Sequence, residues 1–286
     1  MRNVKLVDMP SRYKVAATGD QHIPHVDFAF GAGKNMRRWV KGGKNRYWVS
    51  NGDQSEAVAP THKFFSVDKH SRMGRLSDQR DAFISTFGSV ADKCLGLIDG
   101  NHEYRYHNIY LQTPDIAKEF NVPDAEKYNG YCASAKYHFP GWKLWCWHGS
   151  GSITSTTGEP LRRRLNRLLS LKRRIMYQQA DCDVMVAGHY HFADVLPPSP
   201  DFLLVTDDDL NVQQHYPEPQ KIPIDKKSYY IHHDQRWYGC SGSMLKGYVE
   251  GESTYVEMKG LRPSELGMLI ITVKDEKVTD VEVKRL

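Results

Sequence analysis

The residues of this sequence best suited to chemistry are aspartate, asparagine and histidine side chains in five short glycine-containing blocks. The blocks are Gly19-Asp20-Gln21-His22, Gly52-Asp53, Gly100-Asn101-His102-Glu103, His148-Gly149 and Gly188-His189-Tyr190-His191. Carboxylate, amide and imidazole groups without thiolate suit Mn²⁺, Fe, Zn²⁺ or Ni²⁺ better than a Ca²⁺ or Mg²⁺ cage made only of oxygens. The candidate metal ligands are Asp20, His22, Asp53, Asn101, His148, His189 and His191.

This ligand set is larger than one ion requires. Because a carboxylate can bridge two ions, this set of ligands predicts a dinuclear centre with ions roughly 3.5–4 Å apart. Such a pair lowers the pKa of bound water toward about 7 and contacts both the attacking and the departing oxygen of a phosphoryl displacement. Each block alone has an ordinary explanation, such as a structural histidine or an Asn-Gly-Asp turn. Their occurrence together favours a metal centre.

The elements that must position these groups are short apolar, β-favouring runs that end just before each block. The predicted strands are Lys14–Thr18, Arg46–Ser50, Cys94–Ile98, Lys143–Trp147 and Asp183–Ala187. Helices are predicted at Asp78–Val90 and Pro160–Gln179, and alternating strands and helices indicate an α/β domain. Since open α/β sheets gather ligand-binding groups at the carboxyl ends of their strands, the five blocks are expected to converge.

The chain of 286 residues is expected to form a single domain over 1–286. Its motif-bearing core spans about 14–192. Residues of about 197–236, with clustered Pro, Asp and Tyr, are expected to be an insertion or loop. Residues 237–286 are expected to supply closing strands, including an antiparallel pair at Gly267–Val273 and Val278–Val283.

Bulk composition is that of an ordinary globular protein, 40% hydrophobic and 26% charged. The sequence has no run of the roughly 20 apolar residues that a spanning helix needs, and its N-terminus lacks the apolar core of a secretory signal. Five scattered cysteines without a C-x-x-C pair favour free thiols and a cytoplasmic location. The net charge of +5 is compatible with a polyanionic partner but does not by itself indicate one.

Taken together, the five blocks resemble the signature motifs of the calcineurin-like metallophosphoesterase superfamily, over residues 14 to about 192. The stretches 20–27 and 100–105 are most similar to prokaryotic and phage-borne members, for which the location would be the host cytoplasm. The resemblance implies a two-sheet β-sandwich flanked by helices, with the metals at one rim.

The resemblance also implies a role for each residue of the blocks. The first metal would be held by Asp20, His22 and His191, and the second by Asn101, His148 and His189. Asp53 would bridge the two ions. His102 would not bind metal but would protonate the leaving oxygen or stabilise the transition state. Manganese is the expected ion, with iron, zinc and nickel as alternatives.

After Gly52-Asp53, many relatives place an acid or a histidine two or three residues on. This chain has Gln54-Ser55-Glu56 there, a stretch that is expected to bear on substrate preference. Two further residues are candidates for substrate binding. His25 is better interpreted as a wall residue than as a ligand, and Arg105 either steers a phosphate or forms a surface ion pair.

A basic helix is predicted where Pro160 begins the sequence LRRRLNRLLSLKRRIM. Six apolar residues fall on one stripe at helical spacing: Leu161, Leu165, Leu168, Leu169, Ile175 and Met176. Five arginines fall on the opposite side: Arg162, Arg163, Arg167, Arg173 and Arg174. A charged stretch is usually a solvated face. Because residues 161–180 contain no acid, self-repulsion makes a polyanion partner the favoured interpretation.

The leading hypothesis is therefore a dinuclear phosphodiesterase that cuts nucleic acid, with DNA as the expected substrate. The alternative is a phosphomonoesterase or small-nucleotide phosphohydrolase that uses the same centre. A non-catalytic scaffold is a third hypothesis, and the intact ligand set with His102 argues against it. No membrane association is expected, since the apolar face of the basic helix is expected to pack on the sheet. A nuclease coupled to ATP would require a separate protein partner.

Overall fold

The computed structural model describes residues 1–25, 27–58, 74–216, 220–251 and 253–286. The strands are β1 Arg2–Lys5, β2 Arg12–Thr18, β3 Arg46–Ser50, β4 Cys94–Leu97, β5 Ser134–His138, β6 Lys143–Trp147, β7 Val184–Ala187, β8 Ala193–Leu196, β9 Leu203–Thr206, β10 Val212–His215, β11 Lys221–Pro223, β12 Tyr229–Ile231, β13 Trp237–Ser241, β14 Gly267–Lys274 and β15 Lys277–Arg285. The α-helices are α1 Phe30–Lys41, α2 Leu76–Phe87, α3 Asn101–Tyr104, α4 Gln112–Glu119, α5 Pro160–Ile175 and α6 Tyr255–Met258. Short 3₁₀ helices lie at Gly88–Lys93, Ala125–Lys127 and His233–Gln235.

Two mixed sheets carry the fold. The first has the strand order β1-β5-β6-β7-β13-β8, and the second has the order β15-β14-β2-β3-β4. Strands β2, β3 and β4 run parallel to one another, as do β6, β7 and β13. Parallel neighbours place their carboxyl ends at the same edge, so each sheet presents one rim from which loops can reach a common site.

The buried side chains form three layers that define a sandwich. The central layer joins the inner faces of both sheets, for example Val15 and Ile271 of the second sheet with Tyr137 and Val184 of the first. Helices α1, α2 and α4 pack on the outer face of the second sheet around Trp48. Helix α5 packs on the outer face of the first sheet. The predicted α/β sandwich with flanking helices is confirmed.

The strands predicted from the sequence form within one or two residues of their expected bounds. The predicted antiparallel pair near the end of the chain is also present, as β14 and β15. The last strands do more than close the sheets, however. Strand β13 lies inside the first sheet between β7 and β8, and β14 lies inside the second sheet beside β2, so both strands are integral to the sheets.

Residues 197–236, of which 217–219 lie outside the described part, are more ordered than the loop expected from their composition. They carry two hairpins, β9–β10 and β11–β12, that pair only within themselves. The reason is visible in the first hairpin, where the β-favouring run at Leu203–Thr206 is followed by a turn organised by the Asp207 carboxylate.

Helix α5 begins as predicted, with Pro160 in its first turn and the Glu159 carboxylate accepting from the main-chain N–H groups of the next turn. The predicted apolar stripe is partly wrong. Leu161 and Leu165 are exposed, whereas Leu171 is fully buried together with Leu168 and Ile175. In the first turns Arg164 pairs with Asp194 of β8, and burial begins only at Leu168, so the later turns of the helix contact the core.

All five cysteines are free, as the sequence predicted. Among the helices in the described part of the chain, none combines the length and apolar composition needed to cross a bilayer.

Candidate metal centre

The five blocks meet at the rim where the carboxyl ends of both sheets lie together. Asp20 and His22 follow β2, Asp53 follows β3, and Asn101 begins α3 after β4. His148 follows β6, and His189 and His191 follow β7. Backbone hydrogen bonds connect neighbouring blocks, such as Asp20 N–H to the Gly52 carbonyl at 3.0 Å.

The first expected ligand group is Asp20, His22 and His191, whose ligand atoms all lie within 4.8 Å of one another. Nε2 of His191 is 3.2 Å from Oδ1 of Asp20, and Nε2 of His22 is 4.0 Å from the same oxygen. The second group contains Asp53, His148 and His189 within the same limit. Oδ1 of Asn101 joins it, 2.9 Å from Nε2 of His148.

Asp53 lies between the two groups. Its Oδ2 is 3.3 Å from Nε2 of His148 and 3.7 Å from Nε2 of His22, so one carboxylate reaches ligands of both expected ions. Ligands that are bound about 2.0–2.2 Å from a tetrahedral ion lie roughly 3.3–3.6 Å apart, which is close to these spacings. These spacings are those that a bridging carboxylate would require of Asp53.

A buried polar atom tests whether these residues fit a cation. Nε2 of His22 is buried without a hydrogen-bond partner among the described residues, although the carboxylates of Asp20 and Asp53 face it. An unpaired imidazole nitrogen beside two buried carboxylates is costly unless a positive charge is shared among them. The donor set and this atom together fit a divalent metal.

Five of the ligand residues adopt the left-handed backbone conformation that side chains other than glycine seldom adopt. Their φ angles are 52° for Asp20, 51° for His22, 51° for Asp53, 70° for His189 and 52° for His191. Such residues cost about 1–3 kcal/mol each and persist where the surroundings impose them, often at functional sites. Gly52, at φ 95°, also has no room for a side chain, since a Cβ there would lie 2.6 Å from Nδ1 of His148.

Each ligand histidine is oriented by a hydrogen bond from its other ring nitrogen. Nδ1 of His148 donates to the Asn51 carbonyl oxygen at 2.8 Å, which directs Nε2 toward Asp53. Nδ1 of His22 donates to Glu56 Oε2 at 3.0 Å. Nε2 of His189 donates to the Gly151 carbonyl oxygen at 2.9 Å, leaving its Nδ1 as the ligand atom. Such partners fix the tautomer and orientation of metal ligands.

Glu103 organises the loops around the bridge. Its buried carboxylate accepts hydrogen bonds from the main-chain N–H groups of Gly100 at 2.7 Å, Asp53 at 3.0 Å and Ser55 at 3.1 Å. These contacts connect the loop after β3 to the loop after β4. Burial, with the nearby charges of Asp53 and Asp99, raises the pKa of Glu103 to about 8.

His102 lies beside the bridge. Its main-chain N–H donates to Asp53 Oδ1 at 2.9 Å, and its Nε2 is 3.8 Å from Asp53 Oδ2. Nδ1 donates to the Glu56 carbonyl oxygen at 2.7 Å, which leaves Nε2 on the side of Asp53. His102 also falls within 4.8 Å of ligand atoms of His22 and Asp53.

The charges of the centre set the protonation of its histidines. Burial would lower the pKa of His22, but Glu56, Asp53 and Asp20 together raise it to about 9. Burial likewise opposes protonation of His148, whose pKa Asp53 and Asp20 raise to about 10. His102 differs, because burial outweighs the neighbouring acids and lowers its pKa to about 4.

Arg105 and His25 occupy different positions at this rim. The guanidinium of Arg105 lies across the His102 ring, with Nη2 3.1 Å from Nε2 and Nη1 3.1 Å from Nδ1. It therefore lies beside His102, and it forms no ion pair with another residue in the described part of the chain. Nδ1 of His25 accepts from the Asp27 main-chain N–H at 3.1 Å, which suits a wall residue.

The arginines of α5 are not equivalent. Arg162 and Arg173 are exposed, whereas Arg167 is partly buried, lies over the Phe192 ring and pairs with Glu265 at 2.9 Å. Arg163 is partly buried, with Nη1 3.3 Å from the Thr157 carbonyl oxygen. Arg174 donates to the Ser152 carbonyl oxygen at 3.2 Å and lies near Tyr190.

Several residues that hold the centre together were not identified from the sequence. Glu56 is the acid three residues after Asp53, and its carboxylate orients His22. Met244 N–H donates to the Asp20 carbonyl oxygen at 3.0 Å, and Glu265 N–H donates to that of His191 at 2.9 Å. The available signal was the acid at position 56, while the contacts of residues 244 and 265 depend on the long-range path of the chain.

No family model and no curated protein matches the sequence. Solved structures do match over nearly the whole chain. A metallophosphoesterase from Sphaerobacter thermophilus has 12% identity and a TM-score of 0.40, covering 96% of this chain and 88% of its own. A phosphatase from Mycoplasma pneumoniae has 14% identity and a TM-score of 0.40, covering 97% and 94%. The NAD nucleotidase of Haemophilus influenzae has 13% identity and a TM-score of 0.39, covering 96% and 49%. At such low similarity, the assignment of the site depends on the side-chain geometry described above.

Proposed function

We propose that this protein is a metal-dependent phosphoesterase that hydrolyses phosphodiester bonds, with nucleic acid, DNA in particular, as its substrate. The observation that carries the proposal is the position of Asp53 between two groups of candidate ligands, with His102 beside it. When bound, two divalent ions would supply an activated water and would neutralise charge on the phosphate. Asp20, His22 and His191 would hold one ion, Asn101, His148 and His189 would hold the other, and Asp53 would bridge them.

The chain's own residues supply the remaining groups for phosphoryl transfer. Arg105 is available to neutralise a phosphate oxygen at the face where His102 directs Nε2. Because the pKa of His102 lies near 4, its ring is neutral at pH 7 before substrate binds. An incoming phosphate dianion or monoanion favours protonation, so His102 can take up a proton and pass it to the leaving oxygen.

The location of α5 supports an extended, polyanionic substrate over a small one. Arg174 contacts the loop of Ser150 to Ser152, and the Gly151 carbonyl oxygen of that loop holds His189. The basic helix therefore borders the metal rim. Arg162 and Arg173 are exposed, and we propose that they contact phosphates flanking the reacting bond.

The test is hydrolysis of a phosphodiester chromogen, a phosphomonoester chromogen and DNA of several shapes, each with Mn²⁺, Ni²⁺, Zn²⁺ or Mg²⁺. We expect the diester and DNA to be cleaved, with Mn²⁺ as the best ion. Cleavage of the monoester alone would favour the phosphatase or nucleotide-hydrolase alternative. Absence of hydrolysis with every metal would leave the non-catalytic scaffold as the remaining hypothesis.

A charge-reversal pair tests the role of the helix. Arg162→Glu with Arg173→Glu should weaken DNA binding and lower the salt dependence of log K by about 0.9 for each duplex phosphate that the helix no longer binds. Hydrolysis of a small diester should remain unchanged. The control is Lys274→Glu with Lys277→Glu, in the β14–β15 turn at the opposite end of the sheet. Equal effects of both pairs, or none from the helix pair, would contradict contact between DNA and α5.

A further inference from the structure

An aromatic cluster lies next to the metal centre and is not used by the chemistry described above. The rings of Tyr104 and His107 are stacked, with centroids 4.4 Å apart and planes 8° from parallel. Tyr131 is tilted against both, at 4.9 Å from Tyr104 and 5.7 Å from His107. We call these three residues the aromatic platform.

The platform is connected to the centre along the chain at two points. Tyr104 is the last residue of α3, whose first residues are Asn101 and His102. Tyr131 precedes Cys132, whose main-chain N–H donates to Asp99 Oδ2 at 2.7 Å, directly before the Gly100-Asn101 block. Besides burial, the charges of Asp99, Glu103 and Asp53 raise the pKa of Tyr131, which agrees with a position close to the bridge.

Core packing does not account for the platform. Its three residues are not members of the buried clusters found in the described part of the chain. The Tyr104 side chain remains 53% exposed although His107 covers part of it. Nδ1 of His107 donates to the Tyr104 carbonyl oxygen at 2.6 Å, which holds the two rings parallel. The structure thus maintains a flat, partly exposed ring surface two residues beyond His102 along the chain.

We infer that the aromatic platform is a base-stacking subsite, and that the substrates of this centre carry a nucleobase beside the scissile phosphate. This inference rests on the proposed function and makes its substrate class specific. With the phosphate at the metals and at Arg105, which directly follows Tyr104 in the chain, the base would stack on the exposed part of the Tyr104 ring. Stacking of this kind accepts any base and favours an unpaired nucleotide, so a single strand or a frayed end is preferred over an intact duplex.

Two substrates with one leaving group test the inference: thymidine 5′-(4-nitrophenyl phosphate) and methyl 4-nitrophenyl phosphate, with Mn²⁺-loaded protein. We expect the nucleoside substrate to have the higher kcat/KM. Tyr104→Ala should lower its kcat/KM roughly 5- to 150-fold, the range that corresponds to about 1–3 kcal/mol per stacked base. The methyl substrate should be unaffected, and Tyr104→Phe should retain the preference. Tyr177→Ala, which removes an exposed tyrosine at the end of α5, is the matched control and should change neither value.

A binding measurement makes the inference independent of turnover. Wild-type protein should bind thymidine 5′-monophosphate more tightly than methyl phosphate, and Tyr104→Ala should abolish that difference. If neither chromogenic substrate is hydrolysed with any metal, the proposed function fails, and the binding comparison alone decides the inference. The stacking subsite would be overturned if the wild type had the same kcat/KM for both chromogenic substrates. It would also be overturned if Tyr104→Ala lowered kcat/KM for both substrates by the same factor.

Discussion

Loading metal into the chelated protein should release protons, because two of the ligand histidines, His22 and His148, are protonated in its absence. With pKa values of about 9 for His22 and about 10 for His148, both imidazoles are more than roughly 98% protonated at pH 7. A metal binds only the neutral ring, so each must lose its proton. We therefore expect about two protons released per chain on full loading at pH 7. The cations should also ionise Glu103, whose pKa is about 8, adding up to one more.

Calorimetric titration with Mn²⁺ in buffers of different ionisation enthalpy measures this number directly. Because about two protons leave for each chain that is loaded, the overall metal-binding constant should rise by about 100-fold or more per pH unit between pH 7 and pH 8. Above about pH 11 both histidines are already neutral, and their contribution to the release should approach zero. Release of less than one proton at pH 7, or affinity independent of pH from 6.5 to 8, would refute the charge arrangement assigned to the centre.

Three further predictions concern single groups of the centre. His102→Ala should retain its metal and lose about 10²–10⁴ in the rate of hydrolysis of natural ester bonds. The loss should be smaller for nitrophenyl esters, because a nitrophenolate leaves without a proton. A loss of metal content would contradict the non-ligand role of His102. Glu56→Gln should weaken metal binding by about 10–100-fold by releasing the His22 ring, whereas unchanged affinity would show that the ring needs no support. In metal-free protein, the raised pKa values of His22 and His148 contribute stability that is fully present below pH 6.5 and is lost as pH rises through about 9–10. Its Tm should fall over that upper range more than that of the metal-loaded protein, and parallel curves would contradict the assignment.

The sequence was sufficient to predict the sandwich and the convergence of the five blocks because the signal for both is local. Each strand is an apolar run that stops at its ligand, and the parallel order of the strands brings those ends together. Contacts between segments that are distant in the chain left no local pattern in the sequence from which they could be predicted. Met244 and Glu265 reach the centre through the main chain, which places no restriction on residue type.

The basic helix shows a second limit. Periodicity predicted burial of Leu161, but its side chain is exposed, because the surface available for a helix to pack on is a tertiary property. In the same way, one run of arginines divides into residues with different partners. Arg167 pairs with Glu265, almost one hundred residues away in sequence, whereas Arg173 projects into solvent.

The central claim is that Asp53 bridges two divalent ions. Its most direct test is metal content per chain, measured by elemental analysis on active protein reconstituted with Mn²⁺ and freed of excess ion. We predict two ions per wild-type chain. In Asp53→Ala the total content should fall well below two ions per chain, because both positions lose a ligand, and the variant should be inactive. A content of one ion or less in fully active wild-type protein, or two retained ions in Asp53→Ala, would contradict the dinuclear centre.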